Sequence, residues 1–302
     1  MEKEYCGVIL VNKHKGVTSH DIVFKIRRLY GTKKVGHTGT LDPLATGVLP
    51  VLIGRGAKAA EYLLSENKEY RAEITLGLTS DTEDITGNIL SKSDTLPTKE
   101  ELFEAITHFE GEIEQIPPMY SALKVDGKKL VDLARQGINV ERQARKIKIF
   151  KITPRVIDEQ RGVYELLVSC SKGTYIRTLC ADIGAFLGCG AVMSELERTK
   201  SGDFKIECAH TMSELEEMSA EEREGLILPI ESLFTEASEV VLSDFYARLC
   251  RSGCEIYQKK IKTSYNVDEF VRISDKNGFF ALGQVKSYPD GTAIKAVKLF
   301  RL

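Results

Sequence analysis

The 302-residue chain has no apolar run approaching the roughly 18 residues that read as a membrane-spanning helix. Its first residues, Met1-Glu-Lys-Glu, show no basic start leading into an apolar segment. No secretory leader is visible, and a cytoplasmic location is expected. Seven cysteines without a C-x-x-C suit a reducing compartment better than a disulfide framework. Cys250 and Cys254 alone are too few ligands for a zinc site, and the five histidines form no H-E-x-x-H. Also missing are a phosphate-binding P-loop and a G-x-G-x-x-G. The acidic run Thr79–Gly87 lacks the spacing of a calcium loop and reads as a hydrogen-bonded turn. The sequence therefore leads us to expect neither a cofactor nor a metal. It has no internal repeat and no low-complexity tract.

What is present is ordinary in amount and uneven in distribution. Hydrophobic residues make up 42% and charged residues 28%, as in a soluble globular protein, and the length suggests two domains. A net charge of −2 is no invitation to a nucleic acid. Yet residues 1–60 hold ten Lys/Arg against four Asp/Glu, and residues 124–151 hold nine against three. Residues 211–240 hold nine Glu and one Arg. Phosphate neutralisation depends on the contacting patch rather than on the whole-chain charge, so an RNA partner stays open.

One stretch organises the chain: Thr38-Gly-Thr-Leu-Asp-Pro-Leu-Ala-Thr-Gly-Val-Leu-Pro50. Gly39 and Gly47 permit tight turns or close approach, and Pro43 pushes Asp42 toward extended geometry. This suggests a shaped loop presenting Asp42. The plainer alternative is that Asp42 caps a short helix with Pro43 at its first position. His37 beside this loop is a plausible contact for a base or a phosphate.

The rest reads in order. A strand over 5–12 leads to a basic turn at Lys13–Gly16. A helix follows, capped by Thr18 and Asp21, with Ile22, Val23 and Ile26 inward and Gly31 as its stop. A helix is expected over 57–64. A strand over 68–77 places Tyr70, Ala72, Ile74 and Leu76 on one face, which alone makes Tyr70 a core aromatic. Thr98 and Glu101 cap another helix. Pro117–Lys124 opens a basic arm suited to gripping an anion. A strand over 163–170 turns through Ser171–Arg177 into a helix capped by Thr174. Arg177 lies off that helix's apolar face, in the first turn, where a cation is unhelpful to the dipole. Beyond an acidic boundary, strands over 269–274, 279–286 and 294–300 form a small β-rich unit.

Several of these motifs, taken in order, resemble a known family. They are Gly36–Pro50, Lys68-Glu-Tyr-Arg71, Pro117–Lys124, Ser171–Arg177 and Leu196-Glu-Arg-Thr. Together they make the chain similar to the TruB family of bacterial tRNA pseudouridine-55 synthases over nearly its whole length. The resemblance implies an α+β fold: a mixed, largely antiparallel sheet flanked by helices, with a small C-terminal β-rich domain of PUA type. It implies a catalytic domain over 1–228, with a basic RNA-gripping insert about 112–151, and an RNA-binding domain over 229–302. By the same resemblance Asp42 is the catalytic aspartate, Tyr70 stacks on the target base, and Arg177 pairs with Asp42. His37, Tyr175 and Leu196 would line the substrate site. The partner would be the T-arm of tRNA. A monomer is expected, needing no guide RNA, obligate protein partner or membrane. One departure is His14, where the family's first motif usually reads Lys-Pro. Three other readings compete: a guide-RNA-dependent relative of the dyskerin type, a non-catalytic RNA-binding protein, and a metal-dependent nuclease using Asp42, Asp81 and Asp84.

Overall fold

The computed structural model describes residues 5–62, 67–121, 123–125 and 127–301. Seven strands carry the larger sheet. They are β1 (Cys6–Lys13), β2 (Thr46–Gly54), β3 (Lys68–Leu76), β4 (Gly111–Gln115), β5 (Arg145–Asp158), β6 (Val163–Cys170) and β7 (Ala191–Ser201). Their spatial order is β1-β2-β7-β3-β6-β5-β4 within an 11-stranded sheet counted among the described residues. Neighbours along this order run antiparallel except β2 and β7, which meet in parallel through Thr46 opposite Glu197 and Gly47 opposite Arg198.

Three helices lie on one face of this sheet: α1 (Ser19–Leu29), α2 (Lys99–Thr107) and α3 (Ile176–Phe186). Each begins where local chemistry dictates. Thr18 with Asp21, and Thr98 with Glu101, form complete capping boxes. The expected Thr174 cap is absent, because its hydroxyl donates back to the Ser171 carbonyl at 2.9 Å. Tyr175 is the N-cap residue instead, and Gln115 on β4 holds its backbone from both sides, at 2.8 and 3.0 Å. The first turn of α3 is thereby tied to the sheet's far edge.

Burial follows the strand pattern. β3 alternates strictly, with Tyr70, Ala72, Ile74 and Leu76 in the helix-covered core. Its other face is solvated, where Arg71 meets Glu165 at 3.6 Å and Glu197 at 3.1 Å. β1 and β2 are apolar on both faces, since both are covered. Ile9, Val11, Leu49 and Val51 face the helices. Val8, Leu10, Val48 and Leu52 pack with Phe204, Phe234, Leu282 and Phe300. This second layer joins the sheet to a C-terminal unit whose five-stranded sheet includes β8 (Ser238–Val241), β9 (Phe270–Asp275), β10 (Gly278–Tyr288) and β11 (Gly291–Leu299).

Some expectations need correction. Residues Arg55–Tyr62 form a 3₁₀ helix rather than the start of an α-helix over 57–64, and Leu63 and Leu64 lie outside the described residues. The acidic stretch is not a loose boundary. Its segments Met212–Glu217 and Ala220–Gly225 are helical, and Thr211 and Leu228 pair with β1 on either side of them. The first sheet thus holds the acidic stretch at both ends.

At the β2–β7 junction Gly47 has φ +105, and a Cβ there would stand 2.2 Å from the Arg198 carbonyl oxygen. Both facts make glycine obligatory. Gly47→Ala is expected to cost more than about 2 kcal/mol in stability. The check is the urea midpoint at unchanged slope, and a midpoint equal to that of the parent protein would refute the junction's tightness.

Candidate active site

The segment before β2 is an irregular loop, not a helix, so the capping alternative for Asp42 fails. Main-chain and side-chain bonds set its shape. Leu41 is held on both sides by the Ser19 hydroxyl, which accepts from its N–H at 2.8 Å and donates to its carbonyl at 3.1 Å. The Gly16 N–H donates to the Pro43 carbonyl at 2.8 Å, and the Ala45 N–H donates to the Asp42 carbonyl at 3.0 Å. A proline carbonyl and a serine at the head of α1 thus fix the Asp42 backbone and leave its carboxylate free to point into a cleft.

Arg177 waits there. Its Nη2 lies 3.2 Å from Asp42 Oδ2, donates to the Tyr120 carbonyl at 2.6 Å, and its Nη1 sits 3.8 Å from Asp84 Oδ2. The sequence put Arg177 off the apolar stripe of α3, where a cation is unhelpful to the helix dipole. In the fold that side of the first turn faces the Asp42 loop, and the residue is only 4% exposed. The Asp42 side chain keeps 34% exposure, so the pair is a buried cation holding a carboxylate that still opens to solvent.

The cleft beside them has a volume of about 310 Å³. Tyr70, Tyr175 and Leu196 line it together with Asp42 and Arg177, so four elements far apart in sequence converge there. Tyr70 belongs to the apolar core at 8% exposure, as its strand pattern implied, and also forms part of the cleft wall. The Arg177 guanidinium lies 5.9 Å from the centre of the Tyr175 ring. His37 is not among the lining residues. Its Nδ1 accepts the Gly39 N–H at 3.3 Å, at the root of the loop.

Electrostatics divide these groups. Burial pushes the Asp42 carboxyl above its ordinary range, Arg177 pulls it back, Asp84 pushes it up and Lys13 lowers it. Burial drives the Tyr70 phenol up to about 12, so it keeps its proton at neutral pH. Burial and then Arg198 and His20 lower His37, leaving its ring uncharged.

Several participants were missed in the sequence. Lys13 was read as part of a basic turn, but it is fully buried, donating to the carbonyls of His14 at 3.0 Å and Val17 at 2.8 Å. Burial brings it down to about 8. Asp84 was read as turn chemistry, which is half of its role. One oxygen accepts from Thr82 and from the Thr86 N–H, both at 2.9 Å, while the other faces Arg177. Arg142 was read as part of a gripping arm, but it donates to the Pro117 carbonyl at 3.0 Å. Arg198 is the fourth. The Leu196-Glu-Arg-Thr motif was the only signal pointing to it. Asp81 is turned toward Asn88, and no group of three candidate metal-binding side chains occurs among the described residues.

Two family models match the chain. The model described as TruB family pseudouridylate synthase, N-terminal domain, matches residues 27–176. That described as the tRNA pseudouridylate synthase B C-terminal domain matches 177–235. A protein of Clostridium tetani named tRNA pseudouridine synthase B is 43% identical over 92% of this chain and 95% of its own length. One of the same name from Alkaliphilus oremlandii is 42% identical over 98% of each. Among solved structures, a chain from a Cbf5-Nop10-Gar1 complex superposes with a TM-score of 0.75. It is 28% identical, covering 97% of this chain and 84% of that one. A chain of an H/ACA RNP bound to a substrate RNA containing 2′-deoxyuridine gives a TM-score of 0.73 at 26% identity, covering 98% and 85%.

A stability test follows from the raised Asp42. An acid whose folded pKa exceeds its unfolded value of about 3.9 destabilises the fold when ionised. That cost is present above the folded pKa and absent below the unfolded one. Asp42→Asn, with Arg177 still held by Asp84 and Tyr120, is therefore expected to melt above the parent protein at pH 7. The gap should close as pH falls through the Asp42 titration. Thermal midpoints from pH 3 to 8 check this, and a lower midpoint for the variant at pH 7 would show Asp42 to be a net stabiliser.

Proposed function

The chain belongs to the TruB family of pseudouridylate synthases, and on that premise we propose that it converts uridine to pseudouridine at position 55 in the T-loop of tRNA. The observation that carries this reading is the half-exposed Asp42 carboxylate, 3.2 Å from a buried guanidinium and beside Tyr70 in one cleft. The reaction breaks an N-glycosidic bond, turns the base and rejoins it through carbon. It needs no net oxidation and no energy source, so no cofactor is invoked.

Each residue has a task. Asp42, kept ionised by Arg177 against the effect of burial, serves as nucleophile or as the negative charge opposite an electron-poor sugar. Arg177 orients it and limits its motion. Tyr70 and Tyr175 offer aromatic surface to a base taken out of its stack, and Leu196 closes the apolar side. Stacking is worth about 1–3 kcal/mol per base, comparable with the few kcal/mol that flipping costs. His37, outside the lining, contacts the RNA backbone or a neighbouring base rather than the target.

Residues 1–228 serve as the catalytic domain, with the basic insert over about 112–151, and 229–302 as a PUA-like RNA-binding domain. The enzyme acts as a monomer on the T-arm, without guide RNA or an obligate protein partner. Supporting this, the chain spans 95–98% of the two bacterial relatives but 84–85% of the two chains from Cbf5-type assemblies, at lower identity. No helix among the described residues is long and apolar enough to cross a membrane, which agrees with a cytoplasmic site of action.

The direct test incubates the purified protein with an unmodified tRNA transcript and maps pseudouridine by carbodiimide treatment and primer extension. A single new stop at the T-loop uridine is expected. Asp42→Asn should give none while binding tRNA within about tenfold of the parent, about 1.4 kcal/mol. Modification elsewhere, or turnover by Asp42→Asn, would overturn the assignment.

A separate measurement addresses the insert. Lys124, Lys128 and Lys129 are exposed on a small hairpin next to Leu123, which lines the cleft. Replacing all three with Ala is expected to flatten the salt dependence of tRNA binding by up to about 0.9 log unit per lost duplex contact. An unchanged slope would mean these lysines touch no phosphate.

A further inference from the structure

We propose that Arg198 is the positioning residue that sets the Asp42 loop and the Tyr70 phenol in one fixed relation. Arg198 is 1% exposed and among the largest fully buried side chains of the protein. A guanidinium removed from water must find strong acceptors. Its two hydrogen bonds go to main-chain carbonyls rather than to a carboxylate. Nε donates to the Val48 carbonyl at 2.8 Å and Nη2 to the Gly39 carbonyl at 3.2 Å. Those carbonyls stand on the two sides of Asp42, one before the loop's apex and one after it. A single edge of a rigid planar group therefore clamps both ends of the segment that presents the carboxylate.

The other neighbours of Arg198 complete the relation. In the sheet its backbone is opposite Gly47 on β2 and opposite Tyr70 on β3. Its positive charge lies close enough to the Tyr70 phenol to lower it against the effect of burial, and both side chains line the cleft. Gly39 leaves room for this packing, since a Cβ there would stand 3.4 Å from Arg198 Nη1 and 3.5 Å from Lys68 Nζ. Arg198 does not touch the carboxylate. It acts through the loop and the phenol.

The inference rests on the reading of Asp42 and Tyr70 given above, so the experiment must separate the two. Arg198→Lys keeps the charge and removes the fork, whereas Arg198→Met removes both. For each variant the thermal midpoint, the tRNA dissociation constant and the single-turnover rate on a tRNA transcript are measured, the rate well below the midpoint. Arg198→Lys is expected to bind tRNA within about threefold of the parent and to turn over about 100-fold more slowly, the penalty of a small displacement of reacting groups. Combined with Tyr70→Phe, the Arg198→Lys penalty should shrink rather than multiply, because one of the groups it positions is gone. A rate within threefold of the parent, or a rate loss that follows the midpoint alone, would overturn the proposal. So would full multiplication in the double variant, or failure of both Arg198 variants to fold. If the parent protein makes no pseudouridine, the earlier reading fails instead.

Discussion

A cation taken almost wholly out of water governs this fold's central cleft. Arg177 is 4% exposed, and a guanidinium taken out of water needs acceptors around it. Asp42, Asp84 and the Tyr120 carbonyl surround its two terminal nitrogens, and each comes from a different part of the chain, while Nε is buried without a hydrogen-bond partner. Three loops thus meet on one side chain. The carboxylate is affected in turn. Burial would protonate it more readily, and the guanidinium opposes that. The guanidinium offsets only part of that, so the fold leaves the carboxyl above its ordinary range.

The scaffold explains how so exposed a loop is kept still. β1 and β2 carry it, and both are covered on two faces, by α1 and its neighbours in front and by the Phe234–Phe300 layer behind. The parallel joint of β2 with β7 brings Arg198 beneath the loop and Tyr70 beside it. The tightness of this joint is what makes Gly47 irreplaceable. On the opposite side, Gln115 ties the N-cap of α3 to β4, which aims Arg177. The outer face of β3 and β6 is left to water and ion pairs.

Much of the molecule could be read directly. Capping boxes at Thr18 and Thr98, the alternation through β3, and the C-terminal turns at Asp275–Gly278 and Pro289–Gly291 all appear where local rules put them. These features depend on residues within a few positions of one another. The Thr174 cap failed because a competing local acceptor, the Ser171 carbonyl, was equally close in sequence. The lengths of the acidic helices were obscured by their polarity, which resembled a linker.

By itself the sequence singled out residues that meet in the cleft: a lone Asp42 among glycines and a proline, the aromatic Tyr70, and an Arg177 placed against the helix dipole. Periodicity and turn signals are local, so they survive without coordinates. Only the tertiary structure decided which buried charges face one another. Lys13 looked like part of a basic turn, Asp84 looked like turn chemistry, and Arg198 carried no local signal beyond its motif. Their roles come from pairings between strands and loops far apart in the chain. The depth at which a charge is buried depends on the elements stacked over it, and no spacing along the sequence records that.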